Sequence, residues 1–125
     1  MGKSILIIGE DPSGIDFGAP DAPPDMTADK VMDGLNGSVE RLKAAGHDAA
    51  LLLTTGADRV EAETREALGG ATYDVIVVGA GLRTLPPMAD EFERLMNILH
   101  AEAPAARLAF NGNPGDSDEA ALRWL

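Results

Sequence analysis

Ile5-Leu6-Ile7-Ile8-Gly9 is a short run of aliphatic, mostly β-branched residues that ends at a glycine, and Val75-Ile76-Val77-Val78-Gly79 repeats the pattern. A continuous apolar run of this length is typical of a strand buried on both faces, as strands of parallel sheets are. Further apolar runs at 49–53 and 107–110 predict two more strands. Segments with helical spacing follow all four runs, and this β-α order predicts an α/β fold with right-handed crossovers.

The segments between the strands predict four helices. Apolar residues recur every three or four positions over 28–45, and Gly46 is expected to end that helix. We expect Asp58 to cap the second helix and Pro86-Pro87 to open the third. The fourth is short, ends at Trp124-Leu125 and begins at Asp116 or Ser117. The sequence therefore predicts one domain over 1–125, a three-layer α/β/α sandwich with about four parallel strands in the order 2-1-3-4.

Composition and charge limit the possible partners and compartment. Lys and Arg number 10 against 21 Asp and Glu, a formal charge of -11, which repels phosphate backbones and anionic membranes. Nucleic acid and membranes are therefore not expected as partners. There is no cysteine, so disulfides and thiolate chemistry are excluded, and the apolar run at 5–8 is too short for a signal-peptide core. We expect a cytoplasmic protein.

The loops that follow the strands carry the candidate binding residues. In parallel α/β sheets a ligand binds beyond the carboxyl ends of the strands, where the winding direction reverses, here between the first and third strands. The turn after the third strand contains glycines and an arginine, and the arginine is suited to binding an anion. The same pattern is also typical of a tight strand-to-helix turn. The candidate ligand-binding residues are Gly9, Glu10, Asp11, Asp16, Gly79, Gly81, Arg83, Thr84, Asn111 and Asn113.

Two of these loops admit other interpretations. The loop at 9–27 is too long for a minimal connection, and the apolar pair Ile15 and Phe17 within it indicates a lid that folds over the sheet. Its carboxylates match no calcium-loop spacing, so a solvated surface is favoured over a metal site and no metal ligand is assigned. Residues 111–115 are typical of a turn as well as of a site that hydrogen-bonds a ligand. Gly34 and Gly37, inside the first helix, indicate close approach of a partner helix or a ligand.

The inventory for catalysis is small. His47 and His100 are expected to be structural, and no serine has a histidine base evidently within reach. Any chemistry would depend on Asp11 or Asp16 as a base, with Arg83 as an electrostatic clamp. No catalytic residue and no cofactor is assigned.

Two stretches resemble the receiver domains of two-component response regulators, within the wider flavodoxin-like class. Residues 5–11 look like the first strand and acidic pair of a receiver, and 73–78 look like the strand that leads to its phosphorylated aspartate. Gly79 stands in place of that aspartate, and no fifth strand with its lysine follows. The resemblance covers about half of the chain. It implies a flavodoxin-like fold, either a degenerate receiver that lacks the phosphoacceptor or a small bacterial protein of that fold.

Three functions follow as hypotheses. The first is a non-catalytic regulatory domain that binds an anionic small molecule, a nucleotide or phosphorylated metabolite, at the carboxyl ends of strands 1 and 3. The second is a receiver-like protein-interaction module without a ligand, which acts through its outer helices or an exposed sheet edge. Self-pairing in a homodimer is one way to cover such an edge. The third is a small enzyme that acts on a phosphorylated substrate.

Overall fold

The four strands form one parallel sheet. The computed structural model describes residues 2–14, 18 and 26–125. The sheet order is β2-β1-β3-β4 and every neighbouring pair is parallel, which confirms the predicted order and class. Because β1 and β3 are adjacent, their carboxyl ends open at the same edge. The strands are β1 (Ser4–Glu10), β2 (Asp48–Thr54), β3 (Val75–Val78) and β4 (Arg107–Phe110).

Helices cover both faces of the sheet. They are α1 (Ala28–Ala44), α2 (Val60–Leu68), α3 (Ala80–Thr84), α4 (Ala89–Glu102) and α5 (Ser117–Leu122). Side chains of β1 alternate between two cores, because successive residues of a strand point to opposite faces. Ile5 and Ile7 pack in the core that contains α1 and α5, whereas Leu6 and Ile8 pack with α2, α3 and α4. The result is a three-layer α/β fold that is compatible with the flavodoxin-like class.

The predicted start of α2 is wrong. Arg59, not Asp58, occupies the N-cap position, and no side chain caps the helix. The amides of Arg59 and Val60 already donate to the Gly56 carbonyl, at 3.1 and 2.9 Å, so the turn is closed by backbone before Asp58 is needed.

The segment after β3 is also more structured than predicted. In place of a simple turn between the third strand and Pro86, the chain forms α3, which buries Leu82 completely. The prolines form a 3₁₀ turn, Pro86–Met88, and α4 begins only at Ala89. Pro86 explains the break between α3 and α4, because a proline disfavours helical backbone at the preceding residue, and Leu85 is extended.

The last helix is shorter than predicted. α5 ends at Leu122, and Trp124 and Leu125 lie beyond it with side chains that are nearly half exposed. Within the described residues, none of the helices combines the length and apolar composition needed to cross a bilayer.

Candidate functional site

A cavity of about 230 Å³ lies at the carboxyl ends of β1 and β3. This is the point where the winding of the sheet reverses, the usual ligand position in parallel α/β folds. Apolar side chains near the start of α1, together with Leu85, form much of its wall. The residues that the sequence predicted and that line the cavity are Gly9, Glu10, Gly79, Gly81, Thr84, Asn111 and Asn113.

The remaining predicted residues lie elsewhere. Asp11 does not line the cavity, and its Oδ1 accepts hydrogen bonds from the amide and the hydroxyl of Ser13, at 3.0 and 2.8 Å. These bonds favour the ionised form and lower the pKa of Asp11. Asp16 and the apolar pair of the expected lid, Ile15 and Phe17, lie outside the described residues.

Arg83 turns toward β4 rather than lining the cavity. Its guanidinium donates to the carbonyl of Asn111 and lies over the ring of Phe110, 4.9 Å from the centroid. The Nε atom is buried and has no hydrogen-bond partner in the described part of the chain. In this arrangement Arg83 joins α3 to the end of β4.

The Asn111 side chain links three elements at the cavity edge. It is almost fully buried, and its Oδ1 accepts from the amide of Ala80 at 2.7 Å, at the start of α3. Its Nδ2 donates to the hydroxyl of Ser117 at 2.9 Å, at the start of α5. Both polar ends of the amide therefore hold the starts of α3 and α5 against the end of β4.

Asn113 supports the turn interpretation of this loop. Its Oδ1 accepts from the Gly115 amide at 2.8 Å, while the Asp116 carboxylate accepts from the amides of Gly112 and Asn113, at 2.9 and 3.2 Å. This reciprocal arrangement is a capping box on the 3₁₀ turn Pro114–Asp116. Asn113 lines the cavity while its side-chain oxygen holds the turn.

The same turn is clamped to α1. The Arg41 guanidinium donates to both carboxylate oxygens of Asp118, at 2.8 and 3.0 Å, and to the carbonyl of Gly115 at 2.7 Å. The guanidinium holds the pKa of Asp118 below its usual value. Next to the clamp, the turn packs so closely on Gly34 that an added Cβ would lie 2.9 Å from the Gly115 nitrogen. The close neighbour that Gly34 permits is thus a turn of the same chain.

Two carboxyl groups meet beside the cavity. Glu10 lines the cavity at the end of β1 and is only 9% exposed, and Glu91 of α4, which is 2% exposed, lies against the same hydroxyl group of Thr54. Thr54 lies opposite Glu10 in the β1–β2 register, and its hydroxyl is 3.1 Å from Glu10 Oε2 and 3.3 Å from Glu91 Oε2. Burial, followed by the contact with Glu91 and its charge, raises the pKa of Glu10 to about 8.

The geometry of this trio, together with the raised pKa of Glu10, favours a proton on the Glu10 carboxyl. The Thr54 hydroxyl has a single hydrogen, yet two carboxyl oxygens and the Gly9 carbonyl lie within 3.4 Å of it. Two ionised carboxylates in contact would repel each other and compete for that hydrogen. One shared proton turns the repulsion into a hydrogen bond. Glu91 Oε1 is still buried without a partner among the described residues.

Sequence reasoning missed Glu91. It stands beside Asp90 in the first turn of a helix, where acids are favoured by the helix dipole and are usually solvated. A signal was nonetheless present, because Glu91 precedes the buried Leu95 by four residues and Ile98 by seven, which places it on the apolar stripe of α4. Within the described residues, no group of three or more His, Asp or Glu side chains is arranged to hold a metal ion.

No model of a known protein family matches the sequence, and no curated protein matches it significantly. The resemblance to receivers therefore rests on strand patterns and on the fold. At Gly79, where a receiver carries its phosphorylated aspartate, an added Cβ would lie 3.2 Å from the carbonyl oxygen of Ile8 and 3.5 Å from the Cα of Gly9. A side chain at this position would crowd β1.

Proposed function

We propose that this chain is a binding domain for a small organic molecule, which occupies the cavity between the ends of β1 and β3. The observation that carries the proposal is the position of that cavity, with the buried carboxyl of Glu10 in its wall. Ligand pockets of α/β folds typically combine an apolar lining with a few polar groups that orient the ligand. Glu10 is such a group.

The lining favours a ligand that is largely apolar and small. Among the described residues that line the cavity, Glu10 is the only one with an ionisable side chain, and Met26, Val31, Leu35 and Leu85 contribute apolar surface. A raised pKa keeps Glu10 protonated at neutral pH, so that its carboxyl can donate a hydrogen bond. A carbonyl or ether oxygen on the ligand would complement it. The cavity lies below the roughly 300–1,000 Å³ typical of drug-sized ligands, which favours a small metabolite.

An anionic ligand stays a prediction. A nucleotide or phosphorylated metabolite would need a cation at the cavity, and Arg83 is engaged with Asn111 and Phe110. Binding of a phosphate by Arg83 would require the guanidinium to leave the Asn111 carbonyl. A phosphate-bearing set of compounds therefore belongs in the same ligand screen as neutral ones.

Gly81→Leu is expected to abolish ligand binding without loss of stability. Gly81 lines the cavity, and an added Cβ would meet no heavy atom within 4 Å, so the leucine side chain has room to enter the ligand volume. Leucine is also a better helix former than glycine by about 1 kcal/mol. The measurement is a thermal-shift screen of wild type and variant against small neutral and phosphorylated metabolites, with native mass spectrometry of the purified protein for a retained molecule.

Gly81→Ala serves as the matched control, since one methyl group fills little of the cavity and should weaken binding only modestly. The proposal fails if no compound raises the melting temperature of the wild type. It also fails if compounds that do so act equally on Gly81→Leu.

A second candidate function is proton-transfer catalysis by Glu10. The raised pKa of Glu10 lies near physiological pH, where a general acid or base is most effective, whereas the Asp11 carboxylate is held ionised by Ser13. His47 lies at the other end of the sheet, where its Nδ1 accepts from the Lys3 amide. We expect Glu10→Gln to remove turnover of any bound compound while leaving its affinity within about threefold. A Glu10→Gln variant that still turns the compound over would exclude this role.

A further inference from the structure

β4 has an open edge. It is the outermost strand of the described sheet, with β3 on one side and no strand on the other. The Arg107 amide donates to the Asp74 carbonyl on the β3 side, at 3.0 Å. Because backbone groups of successive strand residues point in opposite directions, the amide and carbonyl of Leu108 face the open edge. They are the groups with which an added strand would pair.

Apolar side chains flank this edge on both faces of the sheet. Leu108 is 36% exposed and Phe110 is 42% exposed, on the face that also carries α4. On the other face Arg107 meets Trp124, the only tryptophan in the chain, at 5.9 Å from its guanidinium carbon to the ring centroid. The apolar surface thus continues around the strand. We call these residues, with Arg83 and Arg123, the β4 patch.

The three arginines of the β4 patch carry charge that the protein itself leaves unbalanced. Within the described residues none of them forms an ion pair, although acids outnumber bases two to one, whereas three of the other four arginines, Arg41, Arg65 and Arg94, each pair with a carboxylate. Arg83 and Arg107 lie over aromatic rings instead, and the Arg83 Nε is buried without a partner. Arg123 donates to the Phe110 carbonyl at 3.0 Å. A basic and aromatic surface has therefore formed on a strongly acidic protein.

We propose that the β4 patch binds an extended acidic segment of another protein, which adds to the sheet as a fifth strand. The segment would pair its backbone with Leu108, place apolar side chains against Leu108 and Phe110, and direct carboxylates to the arginines. Charge complementarity selects this partner over a second copy of the chain. A second copy would bring three more arginines to the same edge, and each copy has a net charge of -11. The site does not depend on a ligand in the cavity.

The test is a selection of random nine-residue peptides displayed on phage against the immobilised full-length chain. We expect the enriched peptides to alternate acidic and apolar residues. The enriched peptide is then synthesised and titrated, with Trp124 fluorescence as a local reporter and hydrogen exchange of the Leu108 amide as a reporter of strand pairing. Binding should saturate, weaken as salt rises, and slow the exchange of the Leu108 amide at least tenfold.

Arg107→Glu is expected to weaken the selected peptide at least tenfold. Arg59→Glu, the same charge change on an exposed arginine at the start of α2, should change affinity less than twofold. Because Arg107 contacts Trp124 only at the surface, the Arg107→Glu variant should remain folded. A melting curve of the variant checks this.

Several outcomes would overturn the proposal. If the selection gives no consensus sequence, or enriches basic or uncharged peptides, the β4 patch does not recognise acidic segments. Equal binding to Arg107→Glu would place the peptide elsewhere, and an unchanged exchange rate at Leu108 would exclude strand addition. A concentration-dependent change of Trp124 fluorescence without peptide, with a doubled mass by light scattering, would assign the edge to a second copy.

Discussion

Glu10→Gln should raise the melting temperature at pH 8.5 by about 5–10 °C and leave it nearly unchanged at pH 5. Burial and Glu91 raise the pKa of Glu10 from 4.5 to about 8, so the folded state holds a proton that the unfolded state releases at lower pH. The stability that this proton contributes is full below pH 4.5 and is lost as the pH rises toward 8. Glutamine is neutral at every pH, and its amide donates to Glu91 as the protonated acid does.

The expected gain at pH 8.5 is about 2–3 kcal/mol in the free energy of unfolding. This free energy is smaller than the free energy that corresponds to the whole pKa shift. The reason is that Glu10 faces the cavity, where water screens its charge. The measurement is the difference between the wild-type and variant unfolding curves from pH 4 to pH 9. Because His47 and His100 are present in both proteins, their titration cancels in the difference, which then reports the ionisation of Glu10.

Asp11→Asn is the matched control, because Asp11 adjoins Glu10 in sequence but has a lowered pKa. Its ionisation is complete in both states above pH 5, and its charge makes only the smallest contribution to the raised pKa of Glu10, so this variant should keep nearly the wild-type slope between pH 5 and 8.5. If Glu10→Gln and the wild type differ by a constant amount over that interval, Glu10 does not have a raised pKa in the folded protein.

The strands were predictable because each buried strand is a continuous apolar run in the local sequence. β1 and β3 are buried along their apolar runs, and a run of four or five aliphatic residues has few other ways to be buried. α3 was not predictable in the same way. It has five residues and is held by burial of Leu82 and by the Asn111 side chain, both of which are tertiary contacts. The isolated sequence of α3 looks like a glycine-rich turn.

The candidate site was predictable in position and less so in chemistry. Parallel strands bring their carboxyl ends to one edge whatever the loops contain, and this rule alone gathers Gly9, Gly79 and Asn111 at the cavity. The carboxyl pair depends instead on two long-range facts, the register that sets Thr54 opposite Glu10 and the rotation of α4 that buries Glu91. The direction of a long side chain such as Arg83 is decided by its neighbours, so its turn toward β4 could not be predicted from sequence.

Gly34→Ala should destabilise the protein by about 2–3 kcal/mol, in spite of the better helix propensity of alanine. An added Cβ at this position of α1 would lie 2.9 Å from the Gly115 nitrogen and 2.9 Å from Pro114 Cβ. These are parts of a backbone turn that the Arg41–Asp118 clamp holds in place, so the clash is relieved only by moving the turn away from α1. Because Pro114 lines the cavity, the variant should also weaken ligand binding. Urea unfolding at pH 7 measures the first effect and the thermal-shift screen the second.

Gly37→Ala is the control within the same helix, and we expect the opposite sign. The added Cβ would lie 3.1 Å from Arg41 Nη1, which makes no hydrogen bond in the clamp but belongs to the same planar guanidinium as the two nitrogens that do. Because the Arg41 side chain is about half exposed and has to shift by only a few tenths of an ångström, the helix propensity of alanine should prevail and stabilise the protein by about 0.5–1 kcal/mol. The difference between the two alanines, about 3 kcal/mol, therefore measures how rigidly the turn is held against α1. Equal stabilisation by both would show that the turn yields freely, and the cavity wall that it forms would then have no fixed shape.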